Sequence, residues 1–271
     1  MSTAQSGAKL YDRYGKWAFV AGASVGLGAA FARELAGRGL SVVLAARRSE
    51  LLEPLAASIR EEFKVDALTV AVDLGAPGML ETIARTTDNL EIGLLVYNAA
   101  CADTGAFLDR GIDSLLKVVD VNCRGPLTLA HHFGRGMKQR GKGGIVLMSS
   151  LTAFNGSPYI STYGASKAFN LILGEGLWYE LRKVGIDVVV CCAGATRTPG
   201  YEASANRAGF RPPETSPEEV ARAAIGGLGR KNVVIRGGMN RFLSFVIRRV
   251  LSRRAGVRIM GASVQGLSLD S

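Results

Sequence analysis

Tyr163 and Lys167 stand four residues apart in "STYGASKAFN", residues 161–170, with only Gly164, Ala165 and Ser166 between them. Four residues is about one turn of an α-helix, so the run predicts a phenol and an ammonium on one helix face. Most such pairs are solvated surface neighbours. The chemical alternative is a phenol whose pKa is lowered for proton transfer.

A second motif bears on that choice. Gly22, Gly26 and Gly28 form G-x-x-x-G-x-G between the apolar run Trp17–Ala21 and a stretch with apolar positions at helical spacing that ends at Gly37–Gly39. Glycines there let the backbone approach a pyrophosphate, whose charge a helix N-terminus stabilises. Three glycines alone say little; a strand–turn–helix context at the start of a fold makes them specific. The end of the second strand should then show which dinucleotide fits. A carboxylate would bind a free ribose 2′-hydroxyl and repel a 2′-phosphate. This chain offers Ala46, Arg47 and Arg48 instead. Guanidinium groups bind phosphate through a planar fork of donors, which points to NADP(H). The other reading is two solvated arginines at a strand end.

The elements that must position these residues are legible as a repeating pattern. Apolar strands are predicted in "SVVLAARR" (41–48), "DALTVAVDL" (66–74), "IGLLVYNAA" (92–100), "GGIVLMSS" (143–150), "GIDVVVCCAG" (185–194) and "NVVIRG" (232–237). Helices are predicted over 49–63, across 112–141 as one long element, and around Tyr163. Short apolar strands alternating with helices indicate an α/β fold with a doubly wound parallel sheet, helices on both faces. Composition shows no break, so one domain over 1–271 is expected. Residues 195–215, "ATRTPGYEASANRAGFRPPET", form a long Gly/Pro/Ala-rich loop of the kind that covers binding sites. "SPEE" (216–219) then reads as a capping box with proline at the first helical position.

Bulk properties exclude several classes. A chain of 271 residues can bury a substantial core. No apolar run reaches the roughly 18 residues of a membrane span. The start, "MSTAQSGAKLYDRYGKW", lacks the layout of a secretory signal, so a cytoplasmic location is expected. Cys101, Cys123, Cys191 and Cys192 have no C-x-x-C spacing, so neither a metal nor a disulfide framework is expected. The net charge of +10 is concentrated at one end: residues 220–269 hold ten basic residues and no acid, and the 23 acids face the other 23 of the 33 bases. That charge is the sole feature favouring nucleic acid, which is not expected as a partner. As a helix, "RFLSFVIRRVLSRRAGVRIMG" places Phe242, Leu243, Val246, Ile247 and Val250 on one side, and Arg241, Ser244, Arg248, Arg249 and Ser252 on the other. The expectation is that the apolar side packs on the core or a sister subunit; the alternative is peripheral contact with an anionic membrane.

With these residues in place, residues 15–237 resemble the short-chain dehydrogenase/reductase family. The glycine loop, "VDL" with Asp73 and Leu74, "YNAA" with Asn98, "VN" with Asn122, "SS" with Ser150, and "YGASK" with Tyr163 and Lys167 occur in family order, Ser150 preceding Tyr163 by 13 residues. The resemblance implies a hydride-transferring enzyme in which Tyr163 is general acid or base; Lys167, with the positive nicotinamide when the cofactor is oxidised, lowers its pKa, and Lys167 also binds the cofactor ribose. It implies that Ser150 holds the substrate oxygen and that Asn122 holds a relay water by distorting its helix. Gly22, Ser24, Gly26, Leu27, Gly28, Arg47, Arg48, Asp73, Leu74, Asn98, Tyr163, Lys167, Thr196 and Thr198 would line the NADP(H) site. Asp73 would meet the adenine and Thr198, or less readily Thr196, the carboxamide. A homodimer or homotetramer is implied, with residues 238–271 as a basic extension.

Three positions depart from the family pattern: Ala21 stands for threonine, Tyr97-Asn98-Ala99-Ala100 for Asn-Asn-Ala-Gly, and Ala193-Gly194 for Pro-Gly. None belongs to the catalytic four, so altered loop stability with activity retained is expected. His131 and His132 are expected to serve packing or a partner surface, and Tyr159 and Tyr201 either line a pocket or pack. "LYDRYGKWAFVAGAS" resembles steroid and long-chain 3-oxoacyl reductases; with "APGMLETI", "VYNAAC" and "IMG" it also resembles bacterial 7β-hydroxysteroid dehydrogenases. Tyr201, Ala203, Ala205, Ala208 and Phe210 give the loop an apolar character that suits a bulky hydrophobic ketone or alcohol. A 3-oxoacyl thioester is the other substrate class.

Overall fold

The computed structural model describes residues 10–198 and 214–265. Tyr201, Ala203, Ala205, Ala208 and Phe210 lie outside these residues. Seven strands form one parallel sheet in the order β3-β2-β1-β4-β5-β6-β7, comprising β1 Trp17–Ala21, β2 Ser41–Ala46, β3 Ala67–Ala71, β4 Ile92–Tyr97, β5 Gly143–Ser150, β6 Ile186–Ala193 and β7 Val233–Val234. The strands are near-continuous apolar runs because both faces are covered. On one face Phe31, Leu35, Leu52 and Ile59 join Val220 and Ile225, carried by α1 Gly26–Ala36, α2 Ser49–Phe63 and α7 Pro217–Gly227. On the other, Met79, Ile83, Leu129 and Phe133 come from α3 Met79–Thr87 and α5 Gly125–Arg140, with Leu173 and Leu177 of α6 Ser161–Leu181 against them.

Two elements differ from the sequence reading. α3 was not expected. Its Met79, Ile83 and Thr87 are buried at four-residue spacing, which holds a nine-residue helix to the sheet. The long helix predicted across 112–141 is α4 Ile112–Val119, a π turn Asp120–Arg124, and α5. The serine half of the capping box forms: Ser216 Oγ accepts from the Glu219 N–H at 3.2 Å, with Pro217 beginning the helix, while the Glu219 carboxylate accepts from Arg236 at 3.2 Å.

The basic extension forms α8 Gly238–Arg249 and α9 Arg253–Gln265. Of the two expected coverings, core or sister subunit, the core does not bury the apolar side of α8, though Val246 and Ile247 are half-buried. The buried residues of the helix are Asn240 and Ser244, while Phe242, Leu243 and Phe245 are exposed. The reason is local. Asn240 fits against Gly194 and donates to the Arg236 carbonyl at 3.0 Å, so the helix sits down on its polar line. The Arg248 guanidinium lies 4.7 Å from the Phe154 ring centre. Among the described residues, no helix is long and apolar enough to cross a membrane.

Candidate active site

The sheet changes winding direction between β1 and β4, and a crevice forms at the carboxyl ends of strands at such a point. Here it is a cleft of about 490 Å³. Its lining includes Gly22, Ser24, Gly26, Leu27, Arg47, Arg48, Asp73, Leu74 and Asn98 on one side. Ser150, Tyr163, Lys167, Thr196 and Thr198 close the other. Two named residues stand behind this surface: Gly28 and Asn122 are buried.

The glycine loop is built by backbone need. Gly22 and Gly26 have φ of 79° and 56°, where glycine is favoured. A side-chain carbon at Gly28 would collide with the Gly22 carbonyl oxygen, so the loop can close on α1 only with glycine there. Asn98 Nδ2 donates to the same carbonyl at 2.9 Å, tying β4 to the loop. Val25 precedes α1 and supplies no side-chain cap, leaving the first N–H groups of the helix available to an anion. Arg47 and Arg48 are exposed at the end of β2, with Arg48 Nη2 3.4 Å from Ser24 Oγ. A tight glycine turn, an uncapped helix start and two guanidiniums on one rim fit a phosphorylated dinucleotide. Asp73 Oδ1 accepts from the Gly75 N–H at 2.9 Å, which shapes the turn after β3.

The opposite wall carries the reactive groups. Ser150 ends β5, and its Oγ accepts from the Thr152 N–H at 3.2 Å. Tyr163 hydrogen-bonds Ser150 through its side chain, and Lys167 Nζ lies 5.5 Å from the centre of the Tyr163 ring. The ammonium donates to the Met148 carbonyl at 3.2 Å, while Ser149 Oγ donates to the Lys167 carbonyl at 2.7 Å. Burial holds Lys167 down to about 8, with Cys123 and Cys192 nearby opposing the shift. Burial pushes the Tyr163 phenol up, and the Ser150 hydrogen bond opposes the rise. The expected lowering by Lys167 and the positive nicotinamide concerns the cofactor-bound site. In the chain by itself desolvation is the larger influence on the phenol.

Asn122 sits in the π turn. Its Oδ1 accepts from the Cys101 N–H at 2.7 Å, and its Nδ2 donates to the Cys101 carbonyl and to Ser166 Oγ, both at 2.8 Å. Tyr97, one of the departures from the family pattern, is closer to the site than the sequence suggests. Its hydroxyl donates to the Val121 carbonyl at 2.6 Å, one residue before Asn122. Asn170 was not singled out in the sequence, yet its Nδ2 donates to the Asn122 carbonyl at 2.9 Å. Its place three residues after Lys167 was the available signal. Thr196 Oγ1 donates to the Gly194 carbonyl at 3.1 Å, and Thr196 pairs with Thr215 where the loop leaves and rejoins the fold. His132 is half-buried edge-on to Phe133, and neither it nor His131 lines the cleft. Tyr159 has φ of 65°, and its carbonyl accepts from the Gly105 N–H at 2.8 Å.

Residues 16–208 match the family model described as short chain dehydrogenase. The chain is 33% identical over 238 residues to the 7beta-hydroxysteroid dehydrogenase of Collinsella aerofaciens, covering 86% of this chain and 90% of that one. A solved structure from work on 7beta-hydroxysteroid dehydrogenase stereoselectivity superposes with a TM-score of 0.86 at 31% identity, covering 93% of this chain and 98% of the other. A short-chain dehydrogenase from Sphingobium yanoikuyae in complex with NADPH gives a TM-score of 0.76 at 31% identity, covering 88% and 98%.

Proposed function

The chain belongs to the short-chain dehydrogenase family and is an oxidoreductase; from that premise we propose that it interconverts a ketone and a secondary alcohol on a bulky, steroid-like molecule with NADP(H). The observation that carries this reading is that Ser150, Tyr163 and Lys167 meet on the wall of a cleft whose other rim holds the glycine loop, Arg47 and Arg48. The likeness to 7beta-hydroxysteroid dehydrogenase supports the substrate class, and the NADPH-bound relative supports the cofactor.

The nicotinamide cofactor, when bound, supplies or accepts the hydride. Ser150 Oγ would donate to the substrate carbonyl and hold it beside Tyr163. In reduction the Tyr163 hydroxyl gives its proton to that oxygen; in oxidation the phenolate takes the proton back. Lys167, over the ring, stabilises the phenolate and would meet the cofactor ribose. Gly22, Ser24, Gly26, Leu27 and Gly28 would cradle the pyrophosphate, with Arg47 and Arg48 forking onto the 2′-phosphate. Asp73 and Leu74 would border the adenine, Asn98 would keep the loop in place, and Thr198 or Thr196 would meet the carboxamide.

The test is a binding titration of NADPH against NADH on the parent chain and on Arg47→Ala, followed by turnover of a ketosteroid panel. NADPH should bind more tightly than NADH, and that preference should fall about tenfold or more in the variant as the charge-assisted phosphate contact is lost. Equal or NADH-favoured binding would overturn the cofactor assignment. Turnover of 3-oxoacyl thioesters with ketosteroids inert would replace the substrate class.

A further inference from the structure

The polar side of α8 faces the protein, and its apolar side faces away. Asn240 and Ser244 are buried, Asn240 donating to the Arg236 carbonyl at 3.0 Å and Ser244 to that of Arg241 at 2.8 Å. Met239, Phe242, Val246 and Val250 recur at three- and four-residue spacing, so they form one stripe, with Phe245 and Arg249 beside it. Met239, Phe242, Phe245 and Val250 are each more than half exposed. The extension is nonetheless fixed in place. Ser252 Oγ accepts from the Ala255 N–H at 3.2 Å at the start of α9, and Gly256 and Gly261 of that helix fit against Asn155 and Pro158. The apolar stripe is therefore presented by a folded, capped pair of helices.

Charge narrows what could cover it. Residues 238–265 carry Arg241, Arg248, Arg249, Arg253, Arg254 and Arg258, and no acid. All six arginines are exposed, and none pairs with a carboxylate among the described residues. A second copy seated face to face on a two-fold axis would set these arginines against their own kind, with no acid to compensate. A nucleic-acid backbone would neutralise the arginines but leave Phe242 and Phe245 in water. A bilayer with anionic headgroups satisfies both sets of side chains. Its phosphates accept from the guanidiniums, and the apolar side chains enter the acyl boundary beneath them.

We propose that α8 is a docking surface for an anionic lipid bilayer, seated by Met239, Phe242, Phe245 and Val250 and attracted by the arginines of α8 and α9. Among the described residues no helix can cross a membrane, so the contact is peripheral, with α8 lying in the plane of the interface. Charge brings the protein to the surface, and apolar burial holds it there. Salt therefore weakens binding, and so does loss of either set of side chains. None of these side chains lines the cleft, so the proposal stands apart from the chemistry assigned there.

The experiment sediments the full chain with vesicles of phosphatidylglycerol mixed into phosphatidylcholine, and with phosphatidylcholine alone, at low and high salt. The parent should pellet with the anionic vesicles at low salt, stay in solution with the neutral ones, and be released as salt screens the charge. The double variants Phe242→Asp with Phe245→Asp, and Arg241→Gln with Arg249→Gln, should each bind at least about tenfold more weakly. Thermal melting and light scattering should show both folded and in the parent's oligomeric state. A parent that stays in solution with anionic vesicles at low salt would overturn the proposal. So would a phenylalanine double variant that pellets like the parent, because charge alone would then account for adsorption. Two further results would also overturn it: a phenylalanine double variant that falls to a smaller oligomer while the parent does not pellet, which assigns the face to a sister subunit, and a parent that binds duplex DNA but no vesicle. If the phenylalanine variant does not fold, the arginine pair decides, with parental pelleting counting against. Sedimentation needs no turnover, so a parent inert toward every ketone would count against the proposed function and still leave the docking surface tested.

Discussion

A lysine that is 3% exposed with its pKa held down to about 8 is costly to keep in a fold at neutral pH. The sign follows from proton counting. The unfolded lysine keeps its proton to about 10.5 and the folded one releases it near 8, so between those values the unfolded chain binds more protons. Stability contributed by this group therefore rises with pH through that window. Lys167→Met is expected to melt higher than the parent at neutral pH and to lose turnover; thermal melts across the window read both the offset and its pH slope. A variant that melts lower at neutral pH would mean the ammonium is better compensated than its contacts indicate. At this scale the sequence was most informative where chemistry demands a residue type at a fixed spacing, as with Tyr163 and Lys167. It was silent on Asn170 and on the partner of the Tyr97 hydroxyl, because which carbonyl a buried amide or phenol finds depends on elements packed from elsewhere in the chain.

The π turn is the element on which the site depends most. Periodicity predicted one helix across 112–141, since an extra residue within one turn barely disturbs an apolar pattern read over thirty. Its anchors make it testable. Tyr97→Phe leaves the buried Val121 carbonyl without its donor, a loss of about 1–3 kcal/mol. Denaturant unfolding should show that loss, accompanied by a fall in kcat because Asn122 is the next residue. Full activity with the same loss of stability would separate the turn from the chemistry. Ser216→Ala, at the cap of α7, should cost about 1 kcal/mol with no change in kcat. The Ser216 cap was legible because its signal is local. α3 escaped notice because nine residues after an Ala-Pro-Gly loop give too few turns for a pattern to stand out.

Across the whole molecule, alternating strands and helices led directly to the doubly wound sheet, and the winding change between β1 and β4 put the glycine loop opposite Ser150 and Tyr163. The extension was read less well. Its amphipathic pattern predicted an apolar side packed on the core or a sister subunit, and within the chain the contact of Asn240 with Gly194 decides how α8 sits. Phe242, 61% exposed, gives a direct check. Phe242→Asp should change stability by less than about 0.5 kcal/mol, as surface substitutions do; a loss of several times that would put the ring in a buried environment.

The central claim is that Tyr163 transfers the proton in an NADPH-dependent ketone reduction, and a single-turnover measurement with Tyr163→Phe tests it most directly. NADPH-loaded parent and variant are mixed with a reducible ketosteroid and NADPH fluorescence is followed. The account predicts that the variant binds NADPH as the parent does and transfers hydride at least about a hundredfold more slowly. Hydride transfer at the parental rate in a variant without the phenol would contradict it.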